Sequence, residues 1–157
     1  MGAVIFSVQF EFGDPRWRKV RGLSARLEAA ALRALRRAKA PRGASLTVLL
    51  TDDARMAALN HDFRAKNKPT NVLSFPAAAN ADNYLGDVAL GYEVTRMEAR
   101  SSGKRFADHA THLVVHGVLH LLGFDHVAPR AARVMETLEI AILAELGIAD
   151  PYATEAV

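Results

Sequence analysis

The sequence predicts an α/β (α+β) fold, a single small mixed sheet of about four strands packed with about five helices. Three observations predict it. Residues 4–12 alternate apolar and polar with a period of two, as a half-buried strand does. Between about 17 and 39 the apolar period lengthens to that of a helix. Strand-like and helix-like stretches then interleave along the chain. Its 157 residues suit one domain, 1–157, built on one core.

The elements follow in order. In the first strand Val4, Phe6, Val8, Phe10 and Phe12 share one side, and Asp14-Pro15 ends it. Leu23, Leu27, Ala30 and Ala34 form one helical face, and Pro41-Arg42-Gly43 stops that helix. Residues 45–50 read as a second strand. Thr51, Asp52 or Asp53 caps a helix running to about 65, with Met56, Leu59 and Phe63 inward and Pro69 breaking it. Val72 to Phe75 is a short strand closed by Pro76, and residues 77–83 form a loop. Leu85 to Tyr92 is the fourth strand. Helices over about 93–101 and about 105–122 follow, punctuated by Gly103 and stopped by Gly123. Pro129 opens the last helix, with Met135, Leu138, Ile142 and Leu146 on its apolar stripe and Gly147 as its cap. The last several residues are expected to fray.

Composition removes several classes. No run of uncharged apolar residues is long enough to span a bilayer, and residues 1–6 lack the basic start of a signal peptide. The expected setting is the cytoplasm, with no membrane contact. There is no cysteine, which excludes disulfides, thiolate metal sites and a thiol nucleophile. Residues 16–42 hold ten Lys and Arg against the single acid Glu28, although the whole chain carries only +3. Such a block suits a polyanion such as RNA, with Arg26, Arg33 and Arg37 placed off the apolar face to meet it. The alternative is a solvated helix face.

Five of the six histidines lie between 109 and 126. His112, His116 and His120 are spaced by four, so neighbouring imidazoles stand one turn apart on one helix face. Gly123 permits a reversal that brings His126 back as a third ligand to His116 and His120. The expectation is a metal site at the end of the long helix. Three neutral histidines without thiolate make the catalytic type of zinc site, with an open position for water. Imidazole also suits copper, iron and nickel. His112 is either a ligand or a neighbour that orients a ligand or a phosphate. His109 is expected at the surface, and His61 is not needed.

From His116 the pattern H-G-x-x-H-x-x-G-x-x-H has the spacing of the metzincin motif, but Gly117 stands where those peptidases carry their general base. A metal-dependent peptidase therefore lacks its proton acceptor.

The run His116-Gly117-Val118-Leu119-His120-Leu121-Leu122-Gly123-Phe124-Asp125-His126 resembles the signature of the YbeY family of bacterial endoribonucleases. So do Leu59-Asn60-His61-Asp62-Phe63-Arg64, Lys68-Pro69-Thr70-Asn71-Val72-Leu73-Ser74-Phe75-Pro76 and Leu85-Gly86-Asp87-Val88. The resemblance spans most of the chain. Its one departure in the histidine run is Phe124, where tyrosine is common. It implies a zinc ion in a cleft and single-strand-specific hydrolysis of RNA. It implies a role in 16S rRNA 3′-end maturation and ribosome quality control. It implies zinc ligation by His116, His120 and His126, a functional arginine at Arg64, and Asp87 as a position linked to a ribosomal protein. The implied partners are rRNA, the small ribosomal subunit, a ribosomal protein and a ribosome-associated GTPase.

The remaining roles follow chemistry. Arg64 offers a planar fork that fits a phosphate, or else it makes a salt bridge at a helix end. Asn60, one turn earlier, orients Arg64 or the substrate. Asp125 either fixes the tautomer of a ligating imidazole or caps the turn. Trp17 and Tyr84 are the exposed aromatics expected for base stacking. The nucleophile is either water or the RNA 2′-hydroxyl. The competing function is a ribosome assembly factor with a structural zinc and no catalysis.

Overall fold

The computed structural model describes residues 5–64 and 70–153, without the side chains of 62–64. The sequence readings of Val4, Phe63, Pro69 and the side chain of Arg64 lie outside the described residues. The order is β1 (Ser7–Phe12), a 3₁₀ turn (Pro15–Lys19), α1 (Leu23–Arg37), β2 (Ser45–Thr51), α2 (Asp53–Arg64), β3 (Val72–Pro76), β4 (Tyr84–Gly91), α3 (Tyr92–Ser101), α4 (Phe106–Leu121) and α5 (Pro129–Glu145). The described residues form a mixed α/β architecture with four strands and five α-helices.

The strands form one sheet in the order β1-β2-β4-β3. β1 pairs parallel to β2, and β2 parallel to β4, with Thr47 opposite Asp87. β3 returns antiparallel to β4, with Phe75 opposite Asp87. The edge strand β1 keeps its strict alternation, whereas central β2 is buried almost throughout, because β2 is covered on both faces. Pro76, which has no amide proton, sits at the end of edge strand β3.

Side-chain alternation splits the core in two. Leu46, Val48, Leu50, Val88 and Leu90 face α1 and α4, with α5 packed against both helices. Leu49, Leu73 and Ala89 face the other way, onto Met56 and Leu59 of α2. α4 lies close to β3 and β4 because Gly117 has no side chain. A Cβ there would stand 2.5 Å from Val88 Cγ1 and 3.3 Å from Ser74 Oγ. Ser74 Oγ also donates to the Gly117 carbonyl at 3.0 Å, tying α4 to β3.

The helix expected from about 17 to 39 is two elements. Pro15 opens the 3₁₀ turn, Gly22 takes a left-handed φ of 71°, and the α-helix begins at Leu23. It ends at Arg37, before Lys39 turns to a φ of 55°. Trp17, expected to be exposed, is instead buried at 1%. Its indole N–H donates to the Thr51 carbonyl at 2.8 Å, and its ring meets Tyr92 and Phe106 at 5.5 and 5.3 Å. A large amphipathic ring gains more from such a pocket than from solvent. Among the described residues, no helix is long and apolar enough to cross a membrane.

Candidate functional site

α4 carries His112, His116 and His120, all partly buried, in a row along one face. The helix ends at Leu121, and Gly123, with φ 98°, turns the chain back. That turn brings His126 beside the row. The ring centroids lie 5.2 Å apart for His116 and His126, 5.6 Å for His120 and His126, and 6.1 Å for His116 and His120. His112 is one turn further back, 6.4 Å from His116.

Hydrogen bonds set the tautomers. His120 Nδ1 lies 2.9 Å from the Phe124 carbonyl oxygen. A carbonyl only accepts, so Nδ1 carries the proton and the lone pair of the neutral ring falls on Nε2. His116 Nδ1 lies 3.0 Å from Glu139 Oε1, with the same consequence. This is the arrangement that metal-binding imidazoles adopt, one nitrogen donating backwards and the other presenting its lone pair.

The donor type, neutral imidazole with Nδ1 turned away, is one that a zinc-like ion takes. With nitrogens about 2.0–2.1 Å from a tetrahedral ion, three imidazole centroids stand roughly 5 Å apart. The three rings are at that spacing or up to about 1 Å wider. Among the described residues, no group of three or more His, Cys, Asp or Glu side chains is placed to hold a metal ion as the side chains stand.

Glu139 was not anticipated from the sequence. It comes from α5 and is fully buried. Its Oε1 accepts from His116, while Oε2 accepts from His112 Nε2 at 2.8 Å and from the Tyr152 hydroxyl at 2.6 Å. Burial by itself would raise the Glu139 pKa, but the three hydrogen bonds outweigh it and hold the carboxyl at about 2. Burial, reinforced by the same carboxylate, pushes the Tyr152 hydroxyl well above its usual range. The sequence did hold a signal. Met135, Glu139, Ile142 and Leu146 fall at i, i+4, i+7 and i+11, so this acid lies on the apolar stripe. A carboxylate buried there requires donors.

The other expected site residues disperse. Arg64 is the last residue of α2, and Asn60 one turn before it is buried at 4%. Asp125 Oδ1 accepts from the Val127 amide at 2.7 Å, so it serves the turn. Asp87 alternates with Val88, which faces α4, and so points to the opposite face of the sheet. There it accepts a short hydrogen bond from the Tyr84 hydroxyl, which also contacts Thr47 at 2.7 Å. Burial first, then Asp87, raises the Tyr84 pKa. These residues, with Arg55, Leu59 and Phe75, line a cavity of 560 Å³. Arg26 pairs with Asp108 at 2.7 Å, and Arg33 and Arg37 with Glu145 at 3.1 and 2.6 Å. All three arginines remain solvent-accessible.

His109 corrects an expectation. It is 8% exposed, not a surface residue, and its Nε2 lies 2.9 Å from Glu98 Oε1. Burial lowers its pKa, against the opposing pull of Glu98. Ala110 and Leu113 beside it lie in the core under α1, which draws this turn of α4 inward.

A small mixed sheet, backed by a helix that ends in a histidine cluster over a buried carboxylate, defines a compact α/β scaffold with its polar chemistry gathered at one helix end. The comparisons narrow it. The sequence model described as Endoribonuclease YbeY matches residues 16–147. A protein named Endoribonuclease YbeY from Chelativorans sp. (strain BNC1) is 48% identical over 153 residues, covering 94% of each chain. Another of that name, from Rhodopseudomonas palustris (strain ATCC BAA-98 / CGA009), is 54% identical over 117 residues, covering 71% of this chain and 62% of its own. The solution structure of TM1509 from Thermotoga maritima shares the fold, with a TM-score of 0.58 and 22% identity over 94% of this chain and 99% of that one. This chain belongs to the YbeY endoribonuclease family.

Proposed function

We propose that the chain is a single-strand-specific, metal-dependent endoribonuclease that hydrolyses RNA phosphodiester bonds. Its substrate is rRNA, and its task is 16S rRNA 3′-end maturation and ribosome quality control in the cytoplasm. Residues 1–157 act as one domain. One zinc ion per chain is held by His116, His120 and His126. The observation that carries this reading is the triad of adjacent rings in which His116 and His120 both donate from Nδ1 to an acceptor behind them, leaving Nε2 for an ion. Membership of the YbeY family supports the RNA substrate.

When bound, the ion supplies a Lewis acid that polarises a phosphate oxygen and acidifies a water. The protein does the rest. His116, through the Nδ1 bond to Glu139, is held at a fixed rotation with a proton on Nδ1. Arg64 presents its guanidinium fork to the phosphate, and Asn60 buttresses that end of α2. Arg26, Arg33 and Arg37 exchange their surface carboxylates for RNA phosphates, a contact indifferent to sequence. Asp87, on the far face of the sheet, meets a ribosomal protein of the small subunit, and a ribosome-associated GTPase joins the assembly.

The test is cleavage of a defined single-stranded RNA together with metal analysis. His120→Ala loses both metal and cleavage; cleavage that persists without metal refutes the reading. Arg64→Ala keeps the metal and loses cleavage while ribosome association survives. If Arg64→Ala instead cleaves normally, Arg64 has no part in the reaction. A 2′,3′-cyclic phosphate on the product would assign the nucleophile to the RNA 2′-hydroxyl, and its absence to water.

A further inference from the structure

Glu139 is a fully buried carboxylate whose acceptors are committed on two sides. Oε1 faces His116 Nδ1 on α4 at 3.0 Å. Oε2 faces His112 Nε2 and the Tyr152 hydroxyl at 2.8 and 2.6 Å, and those two groups lie 3.3 Å from each other. His112 Nδ1 is buried without a hydrogen-bond partner among the described residues. With Nε2 given to Glu139 and Nδ1 enclosed, His112 has no nitrogen to offer an ion beside His116. It serves the carboxylate instead.

Tyr152 belongs to the segment after α5, not to a helix or strand. Lys104 Nζ ties that segment to the fold, donating to the Pro151 carbonyl at 3.2 Å, and within it the Tyr152 amide donates to Asp150 Oδ1 at 2.8 Å and the Ala153 amide to the Asp150 carbonyl at 3.3 Å. The Tyr152 residue is 40% exposed, yet its hydroxyl reaches inward to Glu139, and its ring stands edge-on to His112 at 5.5 Å.

We propose that Glu139 is the positioning residue for His116, and that Tyr152 latches Glu139 in place, so that residues 150–152 set how tightly the histidine cluster holds its ion. The inference rests on the metal reading above and names what tunes it. A carboxylate with two oxygens and three donors has few ways to rotate. Fixing Oε2 with Tyr152 and His112 aims Oε1 at Nδ1 of His116. That bond holds the ring in its Nδ1–H tautomer, and it raises the basicity of Nε2 when an ion binds. Removal of the Tyr152 hydroxyl frees the carboxylate to turn without emptying any core volume.

The test compares wild type, Glu139→Gln and Tyr152→Phe as full chains. Zinc affinity is read by competition with a chromogenic chelator, and the His116 tautomer by nitrogen NMR of the zinc-free proteins. Glu139→Gln weakens zinc by about 10–100-fold, and Tyr152→Phe by a smaller factor of about fivefold. Zinc-free Tyr152→Phe loses a bond to a buried carboxylate and melts a few degrees lower, so the readouts that separate positioning from a structural role are the zinc affinity and the His116 tautomer of the folded protein. In the zinc-free wild type, His116 is protonated on Nδ1, and Glu139→Gln mixes the tautomers. Wild type that takes up no zinc overturns the metal reading and this inference with it. Wild type that binds zinc, with both variants binding it equally well, overturns this inference alone.

Discussion

Gly117→Ala is expected to destabilise the protein, although it replaces glycine by the best helix former in the interior of α4. Propensity alone would stabilise by about 1 kcal/mol. The opposing strain is larger. The new Cβ would stand 2.5 Å from Val88 Cγ1 and 3.2 Å from Val88 Cγ2. Carbon atoms in contact prefer about 3.5–4.0 Å, so the overlap with Cγ1 is about 1 Å or more. Val88 is wholly buried in the centre of β4, and its branched side chain is stiff. Relief requires α4 to lift from the sheet, at the upper end of the roughly 1–3 kcal/mol seen for overpacked cores. The net loss is about 2 kcal/mol, or some 4–8 °C in melting temperature for a chain of this size. The assay is a double-mutant cycle with Val88→Ala, followed by thermal melts. In the Val88→Ala background the obstructing methyls are gone, and Gly117→Ala should become neutral or mildly stabilising. Equal destabilisation by Gly117→Ala in both backgrounds would refute the packing argument. So would a single variant as stable as wild type.

Three further outcomes are expected. The Glu139 carboxyl is lowered from 4.5 to about 2, so the unfolded chain binds the proton more readily. Its contribution, roughly 3 kcal/mol, is therefore present above about pH 4.5 and lost as pH falls towards 2. Urea titrations from pH 6 down to 2 should show wild type converging on Glu139→Gln, and parallel curves would contradict the pairing. Gly86→Ala places a Cβ 2.2 Å from the Phe75 carbonyl oxygen at a φ of +134°. It should cost at least about 2–3 kcal/mol in urea, against about 1 kcal/mol for Gly103→Ala, whose Cβ meets nothing within 4 Å. Similar losses at the two glycines would refute the β3–β4 contact as the cause. Replacing Arg26, Arg33 and Arg37 together by Ala should lower the slope of log affinity for single-stranded RNA against log salt by about 2. An unchanged slope would mean that these arginines stay with Asp108 and Glu145 and do not touch RNA.

Much of the fold was legible because its signals are local. The alternation in β1, the stop at Gly123 and the start at Pro129 each depend on a few neighbouring residues. The break between Lys19 and Leu23 was not legible, because a 3₁₀ turn and a helix start share the same composition. Trp17 misled for a different reason. It lies within a basic run, and its burial is decided by Thr51, Tyr92 and Phe106, which are remote in sequence. His109 failed in the same way, through Glu98. Spacing by four reveals which histidines share a face, not which part of that face is covered.

The histidine run raised the question of a missing carboxylate, since Gly117 stands where peptidases of this spacing carry glutamate. The packing answers it. Position 117 points into Val88, so a side chain there would push α4 off β4 before it reached the histidines. The scaffold instead delivers a carboxylate from α5, on the Nδ1 side of His116. From that side Glu139 is separated from Nε2 by the imidazole ring. It can hold the ring, fix its proton and compensate its charge, but it does not stand where a base would meet a water at Nε2. Two glutamates at different positions would thus do different work. One acts as a base on the reacting side, as the peptidase motif requires, and the other is an anchor behind the histidines. This sequence carries only the anchor, so whichever hydroxyl attacks, that of water or the RNA 2′-hydroxyl, its proton must pass to a group other than a side chain at position 117.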